Sequence, residues 1–282
     1  MTWKNIAWEL IRPIAQVFPT SWLQSRLHRR GQIGHFASLG LMNRDVAIRD
    51  GVASGLKFNA GTYNLDTVLG TYEMPVQDIL SQYLKPGDSF YDIGANVGFF
   101  TIVAAKLVGA SGQVYAFEPE TANVAILRRN AELNQFANVT VIEKAVSRTT
   151  GTEELCLTGC IGGHTLASVG QTFDVEKRIT VNTVSIDDLL LQQKAIKPPS
   201  LVKIDVEGAE IDVLHGMSQT IQQYQPIILY EVDDEKKDNL LKKQQEIDAF
   251  LLSYQYNIKS LGQAYPGTSW NVGHAIAIPQ SL

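Results

Sequence analysis

Asp92, Gly94, Asn96 and Gly98 fall within seven residues, in the run Asp92-Ile93-Gly94-Ala95-Asn96-Val97-Gly98, and Glu118 follows twenty positions after Gly98. A strand, a glycine turn, a helix and a second strand ending in an acid form the layout of a nucleotide-binding unit. A dinucleotide pocket carries G-x-G-x-x-G, so that bare backbone and a helix N-terminus can meet a pyrophosphate. Here the turn reads D-x-G-x-x-x-G. A carboxylate at Asp92 repels a pyrophosphate and attracts an ammonium. Gly94 lets backbone approach a ligand closely. Free N–H groups at the next helix start can serve a carboxylate, and Glu118 can accept both hydroxyls of a ribose. S-adenosylmethionine presents that set of groups and no phosphate. The plainer alternative is a structural glycine turn with a helix-capping acid, but it leaves the spacing of Glu118 unused.

A second constellation lies downstream. Moving a methyl group from a sulfonium to a hydroxyl needs alignment and removal of a proton. Asp205 ends an apolar strand with Glu207 and Gly208 just beyond, and is the first candidate for base or acceptor-positioning group. Its other reading is a cap on the following helix. Lys203 lies two positions earlier on the same strand face. There it should be buried and paired, with Glu231 as the expected partner, although a catalytic lysine is the competing reading. Asp205, Glu231 and Asp233 could hold a divalent cation such as Mg²⁺, but metal-free catalysis ranks ahead. His164, in the glycine-rich run 159–164, is the histidine candidate for a base. His28, His35, His215 and His274 read as structural, His274 as the start of an edge strand. Tyr63, Tyr72, Tyr265 and Trp270 could line an acceptor pocket, though isolated aromatics usually belong to the core.

The pattern around these residues predicts how they are held. A hairpin is expected over Val46–Ile48 and Leu56–Phe58, then a helix over Met74–Tyr83 that Pro86-Gly87 stops. Strands are expected at Ser89–Ile93, Gln113–Phe117, Val139–Glu143, Leu201–Asp205 and Pro226–Val232. Helices are expected at Val97–Leu107, Thr121–Leu133, Ala209–Gln223 and Lys236–Ser253, and closing strands at Tyr256–Ser260 and His274–Pro279. Alternating βα units imply a mostly parallel sheet covered on both faces, closed by an antiparallel edge strand. An insertion over about 151–184 carries two further strands, Glu153–Leu157 and Arg178–Thr183. A short helix over Ser185–Leu191 follows, capped by Ser185.

The chain has 282 residues, is 45% hydrophobic and carries a net charge of −5. Without a dense Lys/Arg block, no nucleic-acid substrate is expected. Cys156 and Cys160 are too few for a disulfide framework, which fits a reducing, cytoplasmic setting. Residues 1–42 read as a separate helical extension ahead of one domain over 43–282. Its apolar residues at helical spacing suit packing on the protein itself or on a dimer mate, or contact with a membrane surface. It has neither the basic start nor the unbroken apolar core of a signal peptide.

The chain resembles the FkbM family of class I S-adenosylmethionine-dependent methyltransferases. The likeness rests on Tyr72-Glu73, the Asp92–Gly98 turn, Phe117-Glu118-Pro119, Glu143-Lys144-Ala145-Val146-Ser147, Ser185-Ile186-Asp187-Asp188-Leu189, the run from Lys203 to Glu210, and Val213-Leu214-His215-Gly216. The resemblance implies a Rossmann-like α/β fold with seven strands and O-methylation of a sugar, glycan or secondary metabolite. S-adenosylhomocysteine would be the product. It implies that Asp92 and Gly94, with Asn96 and Gly98 in the same turn, border the methionine part of the cofactor and that Glu118 meets the ribose. Glu143, Lys144 and Ala145 would border the adenine, Glu73 would meet the ammonium, and Asp205 would face the transferred methyl. The competing readings are a nicotinamide-dependent oxidoreductase, which the Asp92 turn disfavours, and a non-catalytic glycan- or partner-binding module on the same fold.

Overall fold

The computed structural model describes residues 43–61, 65–158, 165–167, 175–192, 194, 196–262 and 271–282. The expectations for residues 1–42 and for His164, Tyr63, Tyr265 and Trp270 lie outside the described residues.

A hairpin of β1 (Asp45–Ala47) and β2 (Lys57–Asn59) leads to α1 (Leu65–Leu69) and α2 (Met74–Tyr83). The central layer then builds as β3 (Ser89–Ile93), α3 (Phe99–Val108), β4 (Gln113–Phe117), α4 (Thr121–Leu133) and β5 (Val139–Ile142). β6 (Ala145–Val146) precedes the insertion, which supplies β7 (Gly151–Thr158), β8 (Thr165–Leu166) and β9 (Val175–Val184), and a π-helical turn follows at Asp188–Gln192. The chain returns to the central layer through β10 (Leu201–Ile204), α5 (Glu210–Gly216), α6 (Ser218–Tyr224), β11 (Ile227–Asp234), α7 (Lys237–Ser253), β12 (Tyr256–Ser260) and β13 (Asn271–Pro279).

The central sheet has seven strands in the order β12-β13-β11-β10-β3-β4-β5. Strands β11, β10, β3, β4 and β5 pair in parallel, and β13 pairs antiparallel with both β11 and β12. This is the expected Rossmann-like α/β sheet, with one correction. The antiparallel strand is not the edge. It sits one place in, because β12, the strand before it, pairs on its outer side while β11 pairs on its inner side.

Alternation along each strand divides the core in two. Tyr91, Ile93, Val202, Ile204, Ile228 and Tyr230 face one layer with Val213, Leu214 and Leu251 of α5 and α7. Phe90, Leu201, Ile227, Leu229 and Ile276 face the other, with residues of α2 and α3. A parallel sheet covered on both sides needs such near-continuous apolar strands. The second face breaks the rule at one end. Counting by twos from its apolar residues leads to Asp92, Lys203, Glu231 and His274. A charged row therefore replaces the apolar one where the parallel strands end.

Two local departures from expectation have physical causes. The helix expected from Ala209 to Gln223 breaks at buried Met217. The Asp187 carboxylate accepts the N–H groups of Gln219 and Thr220 and the Thr220 hydroxyl, which starts a new helix there. The insertion, with β6 just ahead of it, forms a four-stranded sheet, β6-β9-β7-β8, where two strands were expected. Its extra strands are two residues each, too short to show a period. Ser185 accepts the Asp188 N–H, as expected of a cap. Among the described residues no helix is long and apolar enough to cross a membrane.

Candidate active site

The glycine turn after β3 folds around backbone demands. A Cβ on Gly94 would lie 1.7 Å from the Asp205 carbonyl oxygen, and the residue has φ +80°. Gly94 is therefore glycine first for the crossing of two strand-end loops, whatever else it allows a ligand. Gly98 caps α3 at φ +86°, and a Cβ there would press on Leu127 at 2.8 Å. Between them Asn96 holds a left-handed conformation that asparagine tolerates better than most residues.

Glu118 lies under this turn. Its carboxylate accepts the Asn96 N–H at 2.8 Å and the Glu120 N–H at 3.0 Å. Burial pushes its carboxyl up to about 7, although these N–H groups favour the charged form. Glu143 turns instead towards α4, where it accepts the Thr121 hydroxyl at 2.8 Å and lies 3.6 Å from Arg128. The Lys144 N–H turns back to the Ile142 carbonyl, and Ala145 is buried in the small core of the insertion. The trio expected to border an adenine thus follows the strand next to Glu118 but does not join the charged row.

The charged row gathers buried ionisable side chains at one sheet end. Asp92 is buried, and one carboxylate oxygen accepts the Thr101 hydroxyl at 2.5 Å. Burial raises its pKa against the pull of Lys203. The Lys203 ammonium is 2.7 Å from Asp205 and 4.9 Å from the Phe100 ring centre. Burial opposes its charge, but Asp205, Asp92 and Glu73 outweigh that and hold it protonated. Lys203 was expected to pair with Glu231. It pairs with Asp205, because a side chain at the strand end reaches its neighbour two residues along the same face. Asp205 does not cap the next helix either. Ala209 is the cap, and Glu210 accepts the Gly208 N–H.

Glu231 is engaged by His274. The imidazole Nε2 lies 2.5 Å from Glu231 and 3.4 Å from Glu73, with Glu73 delivered by the residue just before α2. His274 was expected at the start of an edge strand, but β13 lies inside the sheet, between β12 and β11. The antiparallel sense of β13 carries its early residues to the same sheet end as Asp205 and Glu231, and cross-strand pairing matches Glu231 to His274. Burial disfavours the imidazolium, yet the two carboxylates raise its pKa to about 10. Asp205, Glu231 and Asp233 do not converge as a cation site. The described trio within reach of one another is Glu73, Glu231 and His274. Two ligands of one transition metal sit roughly 3 Å apart, so the 2.5 Å contact suits a shared proton better.

Sequence reasoning passed over Glu207 as a site residue. It adopts φ +55° after β10, and its carbonyl accepts the Thr165 hydroxyl of the insertion. Burial, then Asp233, Asp205 and Glu231, raise its carboxyl pKa well above the ordinary value. Tyr72 packs edge-on against Phe99 at 5.5 Å, as a core residue would.

The FkbM methyltransferase domain model matches residues 92–258. "Methyltransferase 1" of Beauveria bassiana is 28% identical over 54% of this chain and 68% of its own length. The hexuronic acid methyltransferase AglP of Haloferax volcanii is 27% identical over 56% of this chain and 61% of its own. The 31-O-demethyl-FK506 methyltransferase FkbM of Streptomyces tacrolimicus is 32% identical over 48% of this chain and 61% of its own. The chain thus spans about three fifths of the length of the latter two.

Proposed function

The chain belongs to the FkbM methyltransferase family, and on that footing we propose that it carries a methyl group from S-adenosylmethionine to a hydroxyl of a sugar or secondary metabolite. The observation that supports this is the acidic end of the sheet. Glu73, Asp92, Asp205, Glu207 and Glu231 gather there around two cations, Lys203 and His274. An excess of carboxylates disfavours a pyrophosphate and suits a donor that carries an ammonium and a sulfonium.

The residues present fit that cofactor. One oxygen of Asp92 and the side-chain oxygen of Asn96 are buried acceptors without a hydrogen-bond partner among the described residues. Such atoms call for a ligand that donates hydrogen bonds. Asp92 and Asn96 would hold the amino-acid part, and Glu118 the ribose. When bound, the cofactor supplies an electrophilic methyl group. The protein's own part is to align an acceptor and manage its proton. Lys203 fixes Asp205 at the mouth of the site through one oxygen, Oδ2. The other oxygen stands outside that contact and can orient an acceptor hydroxyl. One relative is named for a hexuronic acid and another for the 31-O position of demethyl-FK506; both names point to an oxygen-rich acceptor, and the second supports oxygen as the methylated atom.

Isothermal titration with S-adenosylhomocysteine should give saturable heat, and NADH should give none. Labelled methyl groups from the cofactor should then appear in a pool of uronic acids and polyols. Binding of NADH with no response to S-adenosylhomocysteine would reverse the assignment.

A further inference from the structure

We propose that Glu231, oriented by His274, is the group that takes the proton from the acceptor hydroxyl. The inference rests on the methyl-transfer reading above and assigns the one step that reading leaves open.

Placement carries it first. Glu231 continues β11 past the point where its neighbour β10 ends, so it stands beside Asp205 at the mouth of the site. The order of burial comes next. The Glu73 side chain is 1% exposed, His274 3% and Glu231 13%. Of the three, Glu231 is the one an acceptor reaches, with the imidazole behind it. The third observation is the grip on that imidazole. Its Nε2 lies between Glu231 at 2.5 Å and Glu73 at 3.4 Å, carboxylates from two different elements, which favours one placement of the charged ring beside Glu231. Asp205, with Oδ2 held by the Lys203 ammonium at 2.7 Å, keeps the separate task of orienting the acceptor.

The step balances. The acceptor O–H bond breaks, and its proton passes to a Glu231 carboxylate oxygen. The acceptor oxygen forms a bond to the methyl carbon as the carbon–sulfur bond breaks, with that electron pair staying on sulfur. The sulfonium becomes a neutral thioether as Glu231 becomes a neutral acid. His274 remains an imidazolium and acts as a positioning residue.

Among the described residues, Glu231 faces His274 from β13, Asp205 and Glu207 from the loop after β10, and Glu73 from the head of α2. Asp233 lies on the same face of its own strand. Burial and then Asp205 and Glu73 push its carboxyl up to about 8, against the pull of His274. A group of that strength suits proton abstraction near neutral pH.

The test uses the 282-residue chain with S-adenosylmethionine and with the methyl esters of glucuronic and galacturonic acids as probe acceptors, which leave only hydroxyls to methylate. E231Q should bind S-adenosylhomocysteine like the wild type while kcat falls about 10²- to 10⁴-fold. H274Q should keep cofactor affinity, lower kcat less, and move the alkaline-rising limb of kcat to higher pH, because a cation beside the base is gone. A purely structural His274 would not shift that limb. ¹³C NMR of labelled glutamate follows Glu231 without any acceptor, and its midpoint should lie well above the ordinary carboxylate range and rise further in H274Q. An active wild type with an equally active E231Q overturns the base assignment. So does an ordinary Glu231 midpoint, or turnover that needs an added divalent metal. A wild type that binds no S-adenosylhomocysteine overturns the methyl-transfer reading instead.

Discussion

Gly94 is glycine because the Asp205 carbonyl occupies the space of a side chain. Gly94→Ala should therefore push two strand-end loops apart. We expect a loss of about 3 kcal/mol or more, since backbone cannot yield as a side-chain tip can. Urea unfolding measures the loss, and S-adenosylhomocysteine affinity should fall with it. Lys203→Met is a different kind of damage. It leaves Asp92 and Asp205 uncompensated in a buried setting, and removing one member of such a pair costs roughly 3–5 kcal/mol. A thermal shift of only a degree or two would contradict that. Asp92, Lys203 and Asp205 were legible in the sequence because each interrupts an apolar strand near its end. Their pairing was not. Lys203 had two acids within reach, and only register and side-chain direction chose Asp205. The contact of His274 with Glu73 and Glu231 was hidden for a related reason. A histidine at the start of a late strand says nothing of whether that strand runs with or against its neighbours.

The turn and the hairpin are joined through one helix. Asn130 of α4 accepts the Asn59 N–H at 2.7 Å and donates to the carbonyls of Asn59 at 2.9 Å and Val97 at 2.8 Å. It is fully buried. Asn130→Ala would orphan backbone groups of β2 and of the glycine turn together. At about 1–3 kcal/mol for each buried unsatisfied group, we expect a loss of about 3 kcal/mol by chemical denaturation. A loss under about 1 kcal/mol would mean that water replaces the amide. Sequence reasoning found the extent of α4 correctly, Thr121–Leu133, since its apolar spacing is regular. It could not assign Asn130, because a mid-helix asparagine looks like a surface residue until the hairpin packs on it. The break at Met217 was hidden in the same way. Its cause is Asp187, thirty residues earlier in the chain.

The whole molecule stores protons at one end of its sheet. Glu118 and Glu210 are raised to about 7, Glu231 to about 8 and His274 to about 10. For the first three, burial is the leading cause. For His274 the neighbouring carboxylates prevail over burial. Each group binds its proton more tightly when folded than when unfolded, so each contributes stability that is lost as pH rises through its folded pKa. Asp45 and Asp234 are lowered, chiefly through Arg129 for Asp45 and through the Lys236 N–H and Lys243 against burial for Asp234. Their contributions disappear in acid. The unliganded protein should thus melt at its highest temperature near pH 5 and at progressively lower ones up to about pH 9. A melting temperature that climbs over that span would refute this account. At this scale the alternation of strands and helices announced the sheet, while the short strands of the insertion left no period to read. The place of β13 has a further consequence. It must slide between β11 and β12 after both have been synthesised, so a nascent chain already holds Glu73 and Glu231 before His274 leaves the ribosome. Until that last strand docks, the two acids lack their imidazole and the sheet has a gap. Completion of this charged end of the sheet therefore waits for β13, which follows every other described strand in the chain.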